Sequence, residues 1–299
     1  MDVQDGDIQE LRLVIGSPID ALTWTAAVER LSDWAVKHES RYVCICNAHS
    51  VVTARRDPTF AQILRNADMA TPDGAPVAWM MRRVGTAGQQ RINGPDLMWR
   101  YCATAAGRNE PIYLYGSRPE TLEALQKSLV QNFPGLQIAG SYSPPFRELT
   151  PEEDQAVVDA INASGAGIVW VSLGCPKQER WMAQHRGRIR ATMVGVGAAF
   201  DYHANVIKRA PFWMQDRGLE WLHRLSSEPR RLWQRYLITN SLFLMYAAQQ
   251  LLIQDKTASF AFRPGLDPTA LDVFHLPGAT PMFVSEDNAE APRAMEDAT

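Results

Sequence analysis

Three short loops carry the side chains that could do chemistry. In "TPDGAP", Asp73 stands between proline and glycine, where an extended segment becomes a helix. It reads either as a helix cap, accepting a backbone N–H one turn on, or as a catalytic base at the mouth of a cleft. In "SLGCPKQERW" (172–181), Gly174 and Pro176 shape a turn, and Lys177, Gln178 and Glu179 crowd the start of a helix. A helix N-terminus with free N–H groups suits an anion, and the Gln178 amide offers a donor and an acceptor to a base or sugar. The competing reading is an exposed, charged first turn in which the helix dipole favours Glu179. "GVGAAFDYHANVIKRAP" (195–211) begins like a glycine-rich dinucleotide turn, but Phe200 stands where the third small residue belongs. Gly195 and Gly197 still allow a ligand close to the backbone. Asp201 caps or binds, and Lys208 and Arg209 are placed to serve a phosphate.

A fourth segment, "RINGPDLMW" (91–99), offers Arg91 and Asp96 around Gly94-Pro95, with a turn and a capping aspartate as the plainer reading. Metal-ligating residues do not assemble. Asp5 and Asp7 have the spacing of a cation-binding pair but precede the first strand, and Cys102 and Cys175 supply no zinc partner pair for Cys44 and Cys46. Those two cysteines read as small buried hydrophobes on one face of a strand. His49 near Asn47 and His203 near Asp201 read as hydrogen-bonded structural residues beside plausible sites. No metal and no cofactor is expected.

These loops need a scaffold, and the apolar pattern supplies one. Strands are expected at 11–16, 42–47, 111–117, 167–174 and 192–197, with a further short one in "ADMATP". Helices are expected over 20–38, 57–67, 94–107 and 119–133, in "PEEDQAVVDAINAS", near 178–189, and after Asp73. Alternating β and α with apolar strands predicts a Rossmann-like α/β fold, a mostly parallel sheet with helices on both faces. Ligands bind such sheets at the carboxyl ends of the strands, near a switch in strand order. Asn47, Gly116, Ser117, Gly174 and Gly197 all follow expected strands.

The C-terminal third has another texture. In "DRGLEWLHRLSSEPRRLWQRYLITNSLFLMYAAQQLL" (216–252), one helix stops near Pro229 and a second begins there. Leu232, Trp233, Tyr236 and Leu237 fall on one arc, opposite Arg231 and Arg235. The pattern fits an interfacial membrane helix or a core-packing helix with a solvated basic face. Asn240, Ser241, Gln249 and Gln250 make 237–253 a poor membrane span. The expected organisation is an N-terminal extension (1–10), a catalytic domain (11–215), a helical membrane-facing appendage (216–254) and a flexible tail (255–299). A net charge of -3 excludes a globally basic nucleic-acid binder. The acidic start lacks the features of a signal peptide, and four irregular cysteines point to the reducing cytoplasm.

In order, "NAHSVV", "ATPDGAPV", "RINGPDLM", "YLYGSRPE", "SLGCPKQERW", "GVGAAFDYHANVIKRAP" and "GLEWLHRLSSEPRRLWQR" resemble the WecG/TagA/CpsF glycosyltransferases of bacteria. The resemblance implies transfer of a sugar from a UDP-sugar to a sugar on polyprenyl diphosphate, by a peripheral enzyme on the inner face of the plasma membrane. By that resemblance Asp73 matches the base, Asn47 a pocket asparagine, and Gln178 the glutamine of the P-K-Q-E turn. Arg224, Arg231 and Arg235 match basic positions that reach lipid diphosphate and membrane, with Trp233 and Tyr236 at the lipid interface. The donor pocket is expected to use Asn47, Arg91, Asp96, Gly116, Ser117, Lys177, Gln178, Glu179, Gly197, Asp201 and Arg209. Two departures stand out: Ile45 where threonine is common, and Asn205 where glycine is usual. The expected activity is that of an inverting, metal-independent hexosyltransferase of exopolysaccharide or cell-surface polymer synthesis, compatible with a homo-oligomer. Transfer of N-acetylmannosamine or N-acetylmannosaminuronic acid in wall-polymer synthesis stays open. So do a nucleotide-sugar oxidoreductase or epimerase and a non-catalytic assembly subunit.

Overall fold

The computed structural model describes residues 10–253 and residues 260 and 261. The first described strands form a hairpin and are not part of the main sheet. β1 (Leu11–Val14) and β2 (Ser17–Asp20) pair antiparallel. Between them Ile15 and Gly16 have φ of 54° and 82°, the positive angles with which a two-residue turn matches the twist of its strands. The helix expected from Asp20 therefore starts later. Thr23 caps α1 (Trp24–Val36), its hydroxyl accepting the Ala26 N–H at 3.1 Å.

The body then alternates as the pattern predicted. β3 (Arg41–Cys46) leads through α2 (Ala48–Arg56) and α3 (Pro58–Arg65) to β4 (Met69–Pro72) and α4 (Ala75–Arg83). Next come α5 (Gly94–Arg108), β5 (Ile112–Gly116), α6 (Pro119–Asn132) and β6 (Ile138–Tyr142). They are followed by α7 (Pro151–Ser164), β7 (Ile168–Ser172), α8 (Lys177–His185), β8 (Thr192–Gly195) and the short α9 (Ala199–His203). β3 to β8 form one parallel sheet in the order β4-β3-β8-β7-β5-β6.

Alternate residues of the central strands enter different cores. Tyr42, Cys44, Cys46, Val169 and Val171 face α2, α3, α4, α7 and α8. Val43, Ile45, Ile168 and Trp170 face α1, α5, α6 and α9. Cys44 and Cys46 are thus both buried in one core, on one face of β3. α2 was not legible from its apolar pattern. It is set by Asn47, whose side-chain oxygen caps it.

Among the described residues, the body is followed by α10 (Phe212–Asp216), α11 (Glu220–Ser227) and α12 (Pro229–Ile253). α12 runs along α2 and buries Leu232, Phe243 and Ala247. At its far end the buried Gln250 amide acts like a strand neighbour. It accepts the Ile15 N–H at 2.7 Å and donates to the Leu13 carbonyl at 2.6 Å. A polar residue that argued against a membrane span is therefore a tie to the N-terminal hairpin. Of the tail expected to be flexible, Phe260 and Ala261 form β9, antiparallel to β1. The remainder of that tail, like Asp5 and Asp7, lies outside the described residues. Among those described, no helix is long and apolar enough to cross a membrane.

Candidate active site

The strand order brings β8, the last strand of the sheet, between β3 and β7. A cleft of about 2190 Å³ opens at the carboxyl ends of these strands, where a doubly wound sheet binds its ligands. Asn47, Asp73, Arg91, Ser117, Lys177, Gln178, Gly197 and Asp201 line it from the body, and Arg224, Arg235 and Tyr236 from α11 and α12.

Asp73 extends the β4–β3 pairing, its N–H donating to the Cys46 carbonyl at 2.9 Å. It does not cap α4. The N-cap is Gly74, with φ 78° and no side-chain cap bond, so the capping reading is corrected. A turn at positive φ, which glycine tolerates, leaves the Asp73 carboxylate at the cleft. There it accepts from the Gly74 N–H and the Asn47 side chain. Burial raises its proton affinity; Arg91 opposes this, Glu220 adds to it, and the two hydrogen bonds favour the charged form. The net result is a carboxyl raised above its ordinary value. Asn47 is oriented for its part because its oxygen is occupied by the His49 and Ser50 N–H groups, at 3.0 and 3.2 Å. Only its NH₂ remains for Asp73.

Arg91 is bridged to Glu220 of α11 at 3.0 Å. Glu220 also meets Arg209 at 3.3 Å, and Arg209 grips both oxygens of Asp96. Asn93, not Asp96, caps α5: its oxygen accepts the Asp96 N–H at 2.9 Å and its NH₂ donates to the Asp96 carboxylate at 2.7 Å. Neither Asp96 nor Arg209 is among the cleft-lining residues; together they hold Glu220 and the start of α5. Gly116 is buried and outside the cleft lining, and a side chain there would run into the Ser172 backbone. It lets β5 and β7 close, while Ser117, at φ 61°, faces the cleft.

The turn after β7 departs furthest from an exposed charged helix start. Lys177 is exposed, but Gln178 and Glu179 are 4% and 1% exposed. The Gln178 carbonyl oxygen accepts the N–H groups of Gly174 (3.2 Å) and Gly197 (3.1 Å), and its NH₂ donates to Glu179 at 3.0 Å. Burial pushes the Glu179 carboxyl up to about 7. The Gly197 N–H, committed to Gln178, is not turned outward as in a dinucleotide-binding loop.

Arg224 lies over the Tyr202 ring. Arg235 sits near His49, whose basicity falls through burial and through that positive charge. The buried Arg235 Nε has no hydrogen-bond partner among the described residues. The Arg231 side chain lies outside what is described. The arc expected on α12 divides: Leu232 is in the core, Tyr236 lines the cleft edge-on to Trp221, and Trp233 and Leu237 are exposed. His203 is structural, bonded to the Pro95 carbonyl at 2.9 Å and stacked on Trp99. Asn205 has φ 57°, a conformation that glycine adopts freely and asparagine more readily than most other residues. Ile45 is buried at the cleft wall.

Two features of the site were invisible in the sequence. Glu220 reaches Arg91 from 129 positions away, with no local pattern to mark it. Tyr142, Tyr115, Trp181 and His185 stack in succession, drawn from three elements, and all but Tyr142 line the cleft. Among the described residues no three His, Cys, Asp or Glu side chains gather to hold a metal.

The fold and cleft define an α/β protein whose ligands meet at the carboxyl ends of parallel strands. The model of the glycosyl transferase WecG/TagA/CpsF family matches residues 12–257, and the chain belongs to that family. It is accordingly a glycosyltransferase, acting between a sugar donor and an acceptor.

Proposed function

We propose that the protein moves a hexose-type sugar from a UDP-sugar to a sugar on polyprenyl diphosphate, in bacterial exopolysaccharide or cell-surface polymer synthesis. The observation that carries this reading is Asp73: a carboxyl of raised basicity, held by Asn47 and Gly74, at the wall of a cleft that also gathers cations. In the reaction, Asp73 takes the proton of the acceptor hydroxyl as its oxygen bonds to the anomeric carbon. The bond from that carbon to UDP breaks in the same in-line step, inverting the centre. Positioned base catalysis of this kind is worth about 10²–10⁴-fold. Charge gathering on UDP is met by Arg91 and Lys177, so the reading invokes no metal and no cofactor.

The acceptor diphosphate falls to Arg224 and Arg235, whose forked donors suit its oxygens, with Arg231 on the same helix. An unsatisfied, buried Arg235 Nε supports this assignment. Trp233, Leu237, Ile238, Leu244, Met245 and Leu252 are exposed along α12, and in this reading they rest in the cytoplasmic face of the plasma membrane. The test is transfer by purified protein from a panel of UDP-sugars to short-chain polyprenyl-diphosphate sugars, with and without EDTA, beside Asp73→Asn. Transfer from one donor, insensitive to EDTA and lost in the variant, is the expected result. Equal transfer by the variant would remove Asp73 from the chemistry.

A further inference from the structure

Glu179 occupies an expensive position. Glu179 is 1% exposed; one carboxylate oxygen accepts from Gln178 at 3.0 Å, and beyond that the carboxyl has only its own backbone N–H and the Cys175 thiol to favour its charge. A leucine would be cheaper to bury. The reason for a carboxyl lies in its neighbour. The Gln178 amide has a unique orientation only because both ends are specified: two N–H groups demand its oxygen, and Glu179 demands its NH₂. The two N–H groups belong to Gly174, after β7, and Gly197, after β8, and both glycines line the cleft. The Ser172 hydroxyl adds a third tie, donating to the Gly197 carbonyl at 2.7 Å. Space for the amide comes from Gly195, where a Cβ would stand 2.9 Å from the Gln178 nitrogen and 2.8 Å from Met182.

We infer that Glu179 is a positioning residue for the transfer reaction, acting through Gln178 to hold the two glycine turns of the cleft floor at a fixed separation. The inference rests on the cleft being the transfer site. It gives Gln178 a different part from contacting a base or sugar, since its oxygen and one NH₂ hydrogen are already engaged inside the protein.

The test is a double-mutant cycle on the full chain with Gln178→Ala and Glu179→Leu, beside the conservative Glu179→Gln. Donor kcat and KM are read separately, together with amide hydrogen exchange at Gly174 and Gly197. Each disruptive variant is expected to lower kcat by roughly 10- to 100-fold, the scale of a small misplacement in a site, with donor KM little changed. The double variant should be no slower than the slower single, because the two residues act as a unit. Exchange at both glycines should quicken together in Glu179→Leu and Gln178→Ala. Glu179→Gln, which still presents an oxygen to Gln178, should keep slow exchange and most of kcat. Additive losses, unchanged glycine exchange in Glu179→Leu, or a rise in KM alone in Gln178→Ala would overturn the inference. If wild-type protein transfers no sugar, the transfer reading fails, and the exchange result still decides whether Glu179 and Gln178 clamp the turns.

Discussion

Replacing Glu179 by glutamine isolates the cost of burying a carboxyl beneath the cleft. In the folded protein this group titrates near 7, against 4.5 when unperturbed, because burial disfavours its charge. A gap of that size is worth ~3 kcal/mol. The sign follows from the protons bound. Between those two values the folded chain keeps a proton that the unfolded chain has released, so raising the pH favours unfolding. The loss begins near 4.5, grows up to about 7, and is complete above it. Glutamine occupies the same space and does not titrate. Urea unfolding of wild type and Glu179→Gln at about pH 4 and about pH 8 measures the effect. Contacts that glutamine gains or loses contribute at both pH values and cancel in the comparison. The stability of the variant relative to wild type should be greater at the higher pH by ~3 kcal/mol. An equal difference at the two pH values would show that the carboxyl is not desolvated, and the reasoning from burial would fail.

Other perturbations separate the parts of the site. Glu220→Gln removes a negative charge that raises Asp73 and is paired with Arg91; the acidic limb of kcat/KM should move to lower pH in a pH–rate profile. Gln250→Leu strands the Ile15 N–H and Leu13 carbonyl, and should lower stability by about 1–3 kcal/mol in urea unfolding. Trp233→Ser with Leu237→Ser changes exposed side chains only. In vesicle co-sedimentation it should weaken membrane binding while leaving the urea midpoint near that of wild type.

Much of the scaffold was legible because it rests on local periodicity. Apolar runs such as "YVCIC" and "IVWV" specify strands buried on both faces, and the β–α alternation leaves few topologies apart from a parallel sheet. Shorter-range geometry was harder to read. The turn at Ile15-Gly16 lies inside one apolar run with no local break, and the start of α2 is set by a single asparagine. Asp73, Asn47 and Arg91 could be picked out by residue type and by the loops they occupy. Which side chains work together could not.

What the chain determined alone is therefore the parallel sheet, the loops at its carboxyl ends and the family to which those loops belong. Tertiary structure decided the partnerships. It turned Asp73 from a cap into a cleft carboxylate, set Arg209 on Asp96 and Glu220, drew Gln178 inward onto two glycines, and split the α12 arc among core, cleft and solvent. The physical reason is range. A helix or strand is chosen by neighbours a few residues apart, whereas proton affinity and hydrogen-bond commitment depend on burial and charges from distant segments, which meet only when the chain has folded.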